Sequence, residues 1–176
     1  MRKPNIFLIG FMGTGKTTLG RMLADRTGMK FIDLDFLIVE QTGKNIAKIF
    51  EDEGEARFRM KEREVLSGYI AQSNQVFSTG GGIVLNPSNV ELMKENGIVI
   101  ALKANVDTLW ERLKNTTNRP LLKDENPKEA LQRLFQQRIK IYDDAHISIQ
   151  VDEHSPAELV QEILAKIALF NSAHLW

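Results

Sequence analysis

One short segment, residues 10–17, constrains this chain more than any other part of its sequence. Its letters, GFMGTGKT, fit the pattern G-x-x-x-x-G-K-[ST]. An apolar run at residues 6–9 precedes it, and Leu19, Met22 and Leu23 follow at helical spacing, so the loop joins a strand to a helix. Glycines let such a loop turn its backbone N–H groups inward, beside the partial positive charge of the helix N-terminus. The segment therefore predicts a nucleoside triphosphate site, and a plain glycine-rich turn with an exposed lysine is the alternative.

Polar side chains at the ends of the first two predicted strands could carry phosphoryl transfer. The Lys16 ammonium would reach the β and γ phosphates, and the Thr17 hydroxyl would be a ligand of Mg²⁺. Asp33 and Asp35 stand two apart, so in an extended strand their carboxylates point the same way, about 7 Å apart. Asp33 could steer Mg²⁺ through its water shell, and Asp35 could accept the proton of a substrate hydroxyl. Either aspartate could instead simply cap the next helix.

The hydrophobic pattern predicts an α/β fold. A chain of 176 residues is long enough for one domain with a real core. Short apolar runs predict five strands, at residues 6–9, 30–34, 76–78, 98–102 and 147–151. Helical patterns separate them, including segments near residues 36–52 and 55–72, which favours a mainly parallel sheet with helices on both faces. Residues 115–127 lack clear periodicity and are a candidate lid.

The composition limits the possible partners and cofactors. Because 23 basic and 23 acidic residues cancel, no overall field draws the chain onto nucleic acid or an anionic membrane. The absence of cysteine excludes disulfides and thiolate zinc sites, and the three histidines lack the spacing of a metal cluster. No apolar stretch approaches the roughly 20 residues that span a bilayer, and the N-terminus lacks a signal-peptide pattern. A cytoplasmic protein without nucleic acid or membrane partners is expected.

Two further segments could hold a small acidic acceptor. Most charges of residues 58–64 belong to a solvated helical face, but positions 58, 62, 65 and 69 form an otherwise apolar stripe that includes Glu62. The Glu62 carboxylate needs a partner there, and Arg59 can supply it while its remaining donors grip a substrate carboxylate. After the third strand, residues 80–82 are three glycines, which would bring backbone amides close to a ligand. A flexible surface loop is the alternative for them.

Three arginines outside these segments are less constrained by the sequence. Arg119, within the candidate lid, could neutralise charge that develops during phosphoryl transfer. Arg112 on the preceding helix and Arg138 on the following one are either surface charges or ligand contacts, and their spacing does not decide. Ile46 and Phe50 share a helical face, for which core packing is expected first and pocket lining second.

Six segments, in this order, resemble the shikimate kinase family: GFMGTGKT, DLD, FRMKE, TGGG, RPLL and VDEHSP. The resemblance covers all but about residues 168–176. It implies the P-loop nucleoside-monophosphate-kinase-like fold, a three-layer sandwich with a five-stranded parallel sheet. It implies one domain over residues 1–176, with acceptor-binding helices at about 34–62 and a mobile lid at about 113–127. The implied reaction is phosphorylation of the 3-hydroxyl of shikimate by MgATP, a step of chorismate and aromatic amino acid biosynthesis.

The resemblance also implies roles for individual residues. ATP would be bound by Gly13, Thr14, Gly15, Lys16, Thr17, Thr18, Arg112, Arg119 and Asp152, with Arg112 and residues 151–156 flanking adenine. Shikimate would be bound by Asp35, Arg59, Gly80, Gly81, Gly82 and Arg138, within walls made by Ile46, Phe50, Phe58 and Leu121. The catalytic residues would be Lys16, Asp35 and Arg119. Mg²⁺ would be held at Thr17 and Asp33, and the protein would be a monomer whose partners are the small molecules ATP and shikimate.

Two other functions compete with this interpretation. Another small-molecule kinase of the same fold, such as a gluconate kinase, is the nearest, because a fold does not choose its acceptor. A GTPase-type switch is the second, but the guanine-reading pattern N-K-x-D is absent from the sequence. The sole D-x-x-G, at residues 25–28, ends the first predicted helix instead of following a strand.

Overall fold

A parallel sheet of five strands forms the centre of the molecule. The computed structural model describes residues 4–116, 125–152 and 154–174. The strands are β1 (Asn5–Gly10), β2 (Lys30–Asp33), β3 (Gln75–Ser78), β4 (Gly97–Lys103) and β5 (Ile147–Gln150). Each of the four pairings is parallel, and the strand order is β2-β3-β1-β4-β5. The predicted five-stranded parallel sheet is therefore confirmed.

Helices connect these strands, as the alternating pattern predicts. Within the described residues they are α1 (Lys16–Thr27), α2 (Leu34–Thr42), α3 (Ile46–Ile70), α4 (Pro87–Asn96), α5 (Val106–Leu113), α6 (Pro127–Arg138) and α7 (Pro156–His174). Short 3-10 turns follow β3 at Ile83–Leu85 and α6 at Ile139–Asp143. Across the described ranges, each helix is too short or too polar to span a bilayer.

The central position of β1 sets the location of the phosphate loop. Every residue of β1 is buried, because a parallel strand with helices on both faces has no solvated side. Its carboxyl end lies between β3 and β4, at the point where the strand order changes direction. In open parallel sheets, ligands bind outside the carboxyl ends of the strands at such a point. The fold thus places residues 10–17 at the middle of a binding edge.

Two sequence-based expectations about the second strand and its neighbours are wrong. The strand ends at Asp33, not at residue 34, because the Asp33 side chain caps α2 by accepting from the backbone N–H of Phe36. Asp35 therefore lies in the first turn of a helix, and the extended-strand geometry expected for the two aspartates does not apply. The single helix expected at 36–52 is interrupted, because Gly43 ends α2 at φ 65° and Asn45 caps α3.

Candidate functional site

The phosphate loop between β1 and α1 encloses its own lysine. Gly15, the residue before α1, has φ 92°, a backbone conformation that L side chains rarely adopt. Lys16 is buried, and its Nζ donates to the carbonyl oxygens of Gly10 at 2.8 Å and Phe11 at 3.0 Å. Thr14 is also buried, and its hydroxyl donates to the Phe11 carbonyl at 2.8 Å. The ammonium is thus held within the loop at a helix N-terminus, where phosphate groups are stabilised.

Three oxygen-bearing side chains meet beside this loop. The Thr17 hydroxyl donates to Asp33 Oδ2 at 2.9 Å and lies 3.2 Å from the Ser78 hydroxyl oxygen. Asp33 Oδ1 accepts from the Phe36 N–H at 3.1 Å, so this aspartate is both a helix cap and a partner of Thr17. Ser78 was not among the predicted site residues, although it precedes the glycine segment.

This oxygen set fits Mg²⁺ in the way nucleotide enzymes hold it. Mg²⁺ prefers hard oxygen ligands and keeps several waters and phosphate oxygens beside one or two protein ligands. Within the described residues, no group of three or more His, Cys, Asp or Glu side chains is arranged to hold a metal by itself. The residues present therefore suit a cation that arrives with a nucleotide, with Thr17 and Asp33 as its nearest protein groups.

One cavity of about 240 Å³ joins the phosphate loop to the start of α2 and to the glycine segment at residues 80–82. Lys16 and Thr17 line one part of it, and Asp35 and Gly81 line another. Thr79, which precedes the three glycines, also contributes to its wall. A phosphoryl group on the loop and a hydroxyl near Asp35 would share one cavity, which is the arrangement that transfer between them needs.

Glu62 is completely buried on the apolar stripe of α3, as the sequence predicts. Its Oε2 accepts from Arg59 Nη1 at 2.5 Å, which confirms the expected pairing. Burial raises the pKa of Glu62 to about 7, although the Arg59 charge opposes that rise. Its other oxygen, Oε1, is buried without a hydrogen-bond partner among the described residues. A buried carboxylate with one unused acceptor is a polar group that a ligand or water can satisfy.

The remaining nitrogen atoms of Arg59 hold a carboxylate that the sequence analysis missed. Arg59 Nε and Nη2 donate to Glu55 Oε1 at 3.2 and 2.7 Å. Arg138 Nη2 lies 3.8 Å from the same oxygen. The spacing of Glu55 and Arg59, four residues apart on a helix, is a signal that could have indicated the pair. The contact with Arg138, which belongs to α6, has no such local signal.

Arg138, the last residue of α6, lies beside Glu55, and Tyr142 of the following 3-10 turn contacts the glycine segment. Arg138 is almost fully buried, and burial together with repulsion from Arg59 lowers its pKa. Tyr142 is also buried, which raises the pKa of its hydroxyl, and that hydroxyl donates to the Gly81 carbonyl oxygen. Arg59 and Arg138 thus share the Glu55 carboxylate, and the two guanidinium groups suit a negatively charged ligand at that position.

The glycine segment lies against the charged groups at contact distance. A side-chain carbon at Gly80 would lie 2.1 Å from Glu62 Oε1 and 3.0 Å from Asp35 Oδ1. At Gly82 it would lie 2.3 Å from Arg59 Cζ. Both positions therefore require glycine as long as the charged side chains stay where they are. The interpretation as a loose surface turn does not apply, because the segment brings Asp35, Glu62 and Arg59 together.

A second cavity, of about 290 Å³, lies on the other side of the phosphate loop. It shares Gly13, Gly15 and Thr18 with the first cavity and extends to Leu159 of α7. Arg112 lines it and bridges its ends, since Nη1 donates to the Gly13 carbonyl at 3.1 Å and Nη2 to the Val151 carbonyl at 3.2 Å. The space fits the remainder of a nucleotide whose phosphates lie on the loop.

Asp152 has a structural contact at the border of this second cavity. Its Oδ1 accepts from the backbone N–H of Asn105 at 2.8 Å. Burial favours a higher pKa for Asp152, but the hydrogen bond from Asn105 and the other hydrogen bonds to the carboxylate outweigh burial. The pKa of Asp152 is therefore lowered. The cavity itself is lined by the neighbouring Val151, His154 and Pro156. The role of Asp152 in binding ATP stays a prediction.

Several predicted site residues are placed elsewhere or lie outside the described part of the chain. Arg119 and Leu121 belong to residues 117–124, which are outside the described residues, as is most of the candidate lid. The rings of Phe50 and Phe58 pack at 4.9 Å, and Ile46 packs against the core. The core packing expected for Ile46 and Phe50 is thus confirmed, Phe58 belongs to the same core, and the contact of all three with an acceptor stays a prediction.

Comparisons with known proteins agree with this geometry. The shikimate kinase family model matches residues 12–168. A shikimate kinase of a Sulfurihydrogenibium species is 46% identical over 163 residues, which are 93% of this chain and 97% of that protein. A solved structure of the shikimate kinase from Acinetobacter baumannii in complex with shikimate has a TM-score of 0.91 at 40% identity, covering 99% of this chain and 96% of that one. These similarities confirm the P-loop nucleoside-monophosphate-kinase-like fold.

A gluconokinase shares only the architecture. The structure of a gluconokinase from Sinorhizobium meliloti has a TM-score of 0.63 at 19% identity, over 99% of this chain and 98% of that one. At this level of identity the similarity shows the fold alone. The gluconate kinase alternative therefore gains no residue-level support.

Proposed function

The chain belongs to the shikimate kinase family, and on this basis we propose that it transfers the terminal phosphoryl group of ATP to the 3-hydroxyl of shikimate. The products are shikimate 3-phosphate and ADP, in a step of chorismate and aromatic amino acid biosynthesis. The observation that carries the proposal is the cavity that joins Lys16 and Thr17 to Asp35 and Gly81. Arg59, which shares Glu55 with Arg138, lies against Gly82 of the neighbouring glycine segment.

Recognition of shikimate uses its carboxylate and its hydroxyls. Arg59 and Arg138 bind the carboxylate, since guanidinium groups form strong charge-assisted hydrogen bonds to such a group. The Asp35 carboxylate contacts the reactive hydroxyl, and residues 80–82 supply backbone contacts at the same edge. The proximity of Asp35 Oδ1, Glu62 Oε1 and Arg59 to this backbone supports a small ligand that carries both acid and hydroxyl groups.

Phosphoryl transfer depends on positioning and charge. Lys16 exchanges its bonds to the loop carbonyls for bonds to phosphate oxygens, and the backbone of Gly13, Thr14 and Gly15 surrounds the phosphate chain. Asp35 orients the acceptor hydroxyl or takes its proton. Orientation alone can suffice, because a loose transition state needs little help from a base. Arg119 of the lid at about residues 113–127 neutralises the charge that develops on the transferred group.

The cation and the rest of the nucleotide are held by neighbouring groups. Thr17 and Asp33 hold Mg²⁺, with Ser78 beside them, and Mg²⁺ when bound neutralises charge on the phosphate oxygens. Thr18 contacts the phosphates, and Arg112 and Asp152 lie on the adenine side. The bridge from Arg112 to the carbonyls of Gly13 and Val151 supports this placement.

The chain acts as one unit. Residues 1–176 form a single domain, in which the helices of about residues 34–62 hold the acceptor. We propose that the protein acts as a monomer. We propose that it works in the cytoplasm, a compartment that supplies the ATP its reaction consumes.

A coupled assay of ADP release tests the proposed function. Purified protein with MgATP is offered shikimate, gluconate and nucleoside monophosphates at equal concentrations. We expect rapid ADP release only with shikimate. Preference for gluconate or for a nucleoside monophosphate would remove the substrate assignment.

A further inference from the structure

The Arg59 guanidinium is bonded through all three of its nitrogen atoms to carboxylates of the chain itself. Nη1 donates to Glu62, and Nε and Nη2 donate to Glu55. The Glu55 oxygen also faces Arg138 at 3.8 Å. Glu55 therefore occupies the position between the two arginines that a ligand carboxylate needs.

The two carboxylates differ in how readily they can leave Arg59. Glu62 is completely buried between apolar neighbours of α3, and a buried ion pair is costly to break. The Glu55 side chain is 42% exposed, and partly exposed ion pairs contribute little stability. Glu55 also directly follows Gly54, where α3 is kinked at φ 79° and ψ 168°. The Glu55 carboxylate can thus move into solvent, whereas the Glu62 carboxylate stays.

We propose that Glu55 sets the affinity of the acid site, as an internal carboxylate that holds Arg59 and Arg138 until a ligand carboxylate displaces it. This inference rests on the proposed function, in which the two arginines bind the acid group of the acceptor. An internal competitor has a high effective concentration, so a plain small carboxylate displaces it poorly. An acid that also contacts Asp35 and the glycine backbone has further interactions that offset the displacement. Glu55 would thus keep weakly binding simple anions out of the site, at an equal cost in affinity for hydroxylated acids.

Calorimetry on nucleotide-free protein tests the inference. Shikimate is titrated into the wild type, Glu55→Gln and Glu55→Ala, with benzoate as a carboxylate that lacks hydroxyls. We expect both variants to bind shikimate about fivefold more tightly, which corresponds to ~1 kcal/mol. Benzoate should gain by about the same factor, because the competitor that is removed opposes every carboxylate alike.

The matched control is Glu53→Gln. Glu53 stands on the other side of Gly54 and contacts Lys61 at 3.3 Å and Lys44 at 3.5 Å instead of the two arginines. Its variant should bind shikimate like the wild type. ADP binding, which depends on the phosphate loop, is measured in the same samples and should be equal in all four proteins.

Unchanged or weaker shikimate binding in the Glu55 variants would overturn the inference, and weaker binding would make Glu55 a residue that positions Arg59. Tighter shikimate binding accompanied by an altered ADP affinity would mean that the substitution changes the fold as a whole, and this result would also overturn the inference. The wild type is assayed for turnover in parallel. If the wild type turns over shikimate and the Glu55 variants bind shikimate no more tightly than the wild type, only this inference fails. If the wild type does not turn over shikimate, the proposed function fails.

Discussion

Arg59 Nη1 and Glu62 Oε2 lie 2.5 Å apart in an ion pair whose carboxylate is fully buried while the arginine side chain remains 21% exposed. The arginine can therefore meet a ligand from the solvent side without leaving its partner. The carboxylate has no such freedom, so its charge state depends on the groups around it. Burial has the largest effect on its pKa, followed by Arg59, Asp35 and Glu55.

The buried Glu62 should make the stability of the protein depend on pH. Its pKa is about 7 in the folded protein and near the ordinary 4.5 when unfolded, so the folded state binds more protons between these values. Stability therefore falls as pH rises through this window, by at most about 1.4 kcal/mol per pH unit. We expect urea unfolding at pH 5, 6, 7 and 8 to show that, as the pH rises, the free energy of unfolding of Glu62→Gln increases relative to that of the wild type. A constant difference between the two proteins would contradict the raised pKa.

Removing Arg59 should weaken acceptor binding and spare the nucleotide. Arg59→Ala should cost about 2 to 5 kcal/mol of shikimate binding, because truncating one partner of a desolvated charge pair is expensive. Arg57→Ala is the matched control, since Arg57 is on the same helix, is half exposed and lies 3.9 Å from Glu53. Steady-state kinetics in both substrates should show a raised KM for shikimate in Arg59→Ala alone. Equal shikimate kinetics in the two variants would rule out the arginine clamp.

Lys16 should be needed for turnover and not for the acceptor site. Lys16→Ala should lower kcat by at least about a hundredfold, the usual effect of losing one preorganised donor to transition-state charge. Lys48→Ala, which removes a surface lysine paired with Glu51 and Asp52, should leave kcat unchanged. Shikimate binding measured by calorimetry should persist in both. Near-normal turnover of Lys16→Ala would mean that the loop does not hold the transferred phosphate.

Asp35→Asn should affect the rate more than the affinity. The amide fills the same space but accepts a proton poorly, and general-base groups contribute about 10²- to 10⁴-fold. A loose transition state favours the lower end of this range. Comparing kcat with the KM for shikimate tests the assignment. A raised KM with an unchanged kcat would make Asp35 a residue for binding alone.

Asp33 should show two separable functions. Asparagine is as good a helix cap as aspartate, so Asp33→Asn should keep the stability of the protein and raise its Mg²⁺ requirement. Asp33→Ala should raise that requirement and also lower the free energy of unfolding by about 1 kcal/mol, since the cap of α2 is lost. Urea unfolding and turnover over a series of Mg²⁺ concentrations distinguish the two. Equal Mg²⁺ dependence in the wild type and both variants would exclude Asp33 from the cation site.

The sheet and the phosphate loop were predictable because their signals are local. β1 is buried at every position, so its apolar run alone indicates a central strand, and the loop motif specifies its own connection to α1. The course of the chain after β2 was less predictable. A strand that ends one residue earlier turns Asp35 from a strand residue into a helical one, and Gly43 interrupts an otherwise continuous helical pattern.

The acceptor side was predictable only where one helix contains both partners. Arg59 and Glu62 are three residues apart on α3, so their pairing follows from helical spacing. The contact of Glu55 with Arg138 depends on how α3 and α6 approach each other, which no local pattern encodes. Similarly, the meeting of Ser78 with Thr17 depends on β1 and β3 being neighbours in the sheet.

The double attachment of Asp33 ties the donor half of the enzyme to the acceptor half. One oxygen fastens the start of the helix that bears Asp35, and the other is bonded to the hydroxyl of Thr17 on the phosphate-loop helix. A nucleotide that recruits Thr17 therefore changes one of the two contacts that hold Asp33 at the start of this helix. Such linkage is mutual by thermodynamic necessity: by whatever factor ATP alters the affinity for the acceptor, the acceptor alters the affinity for ATP.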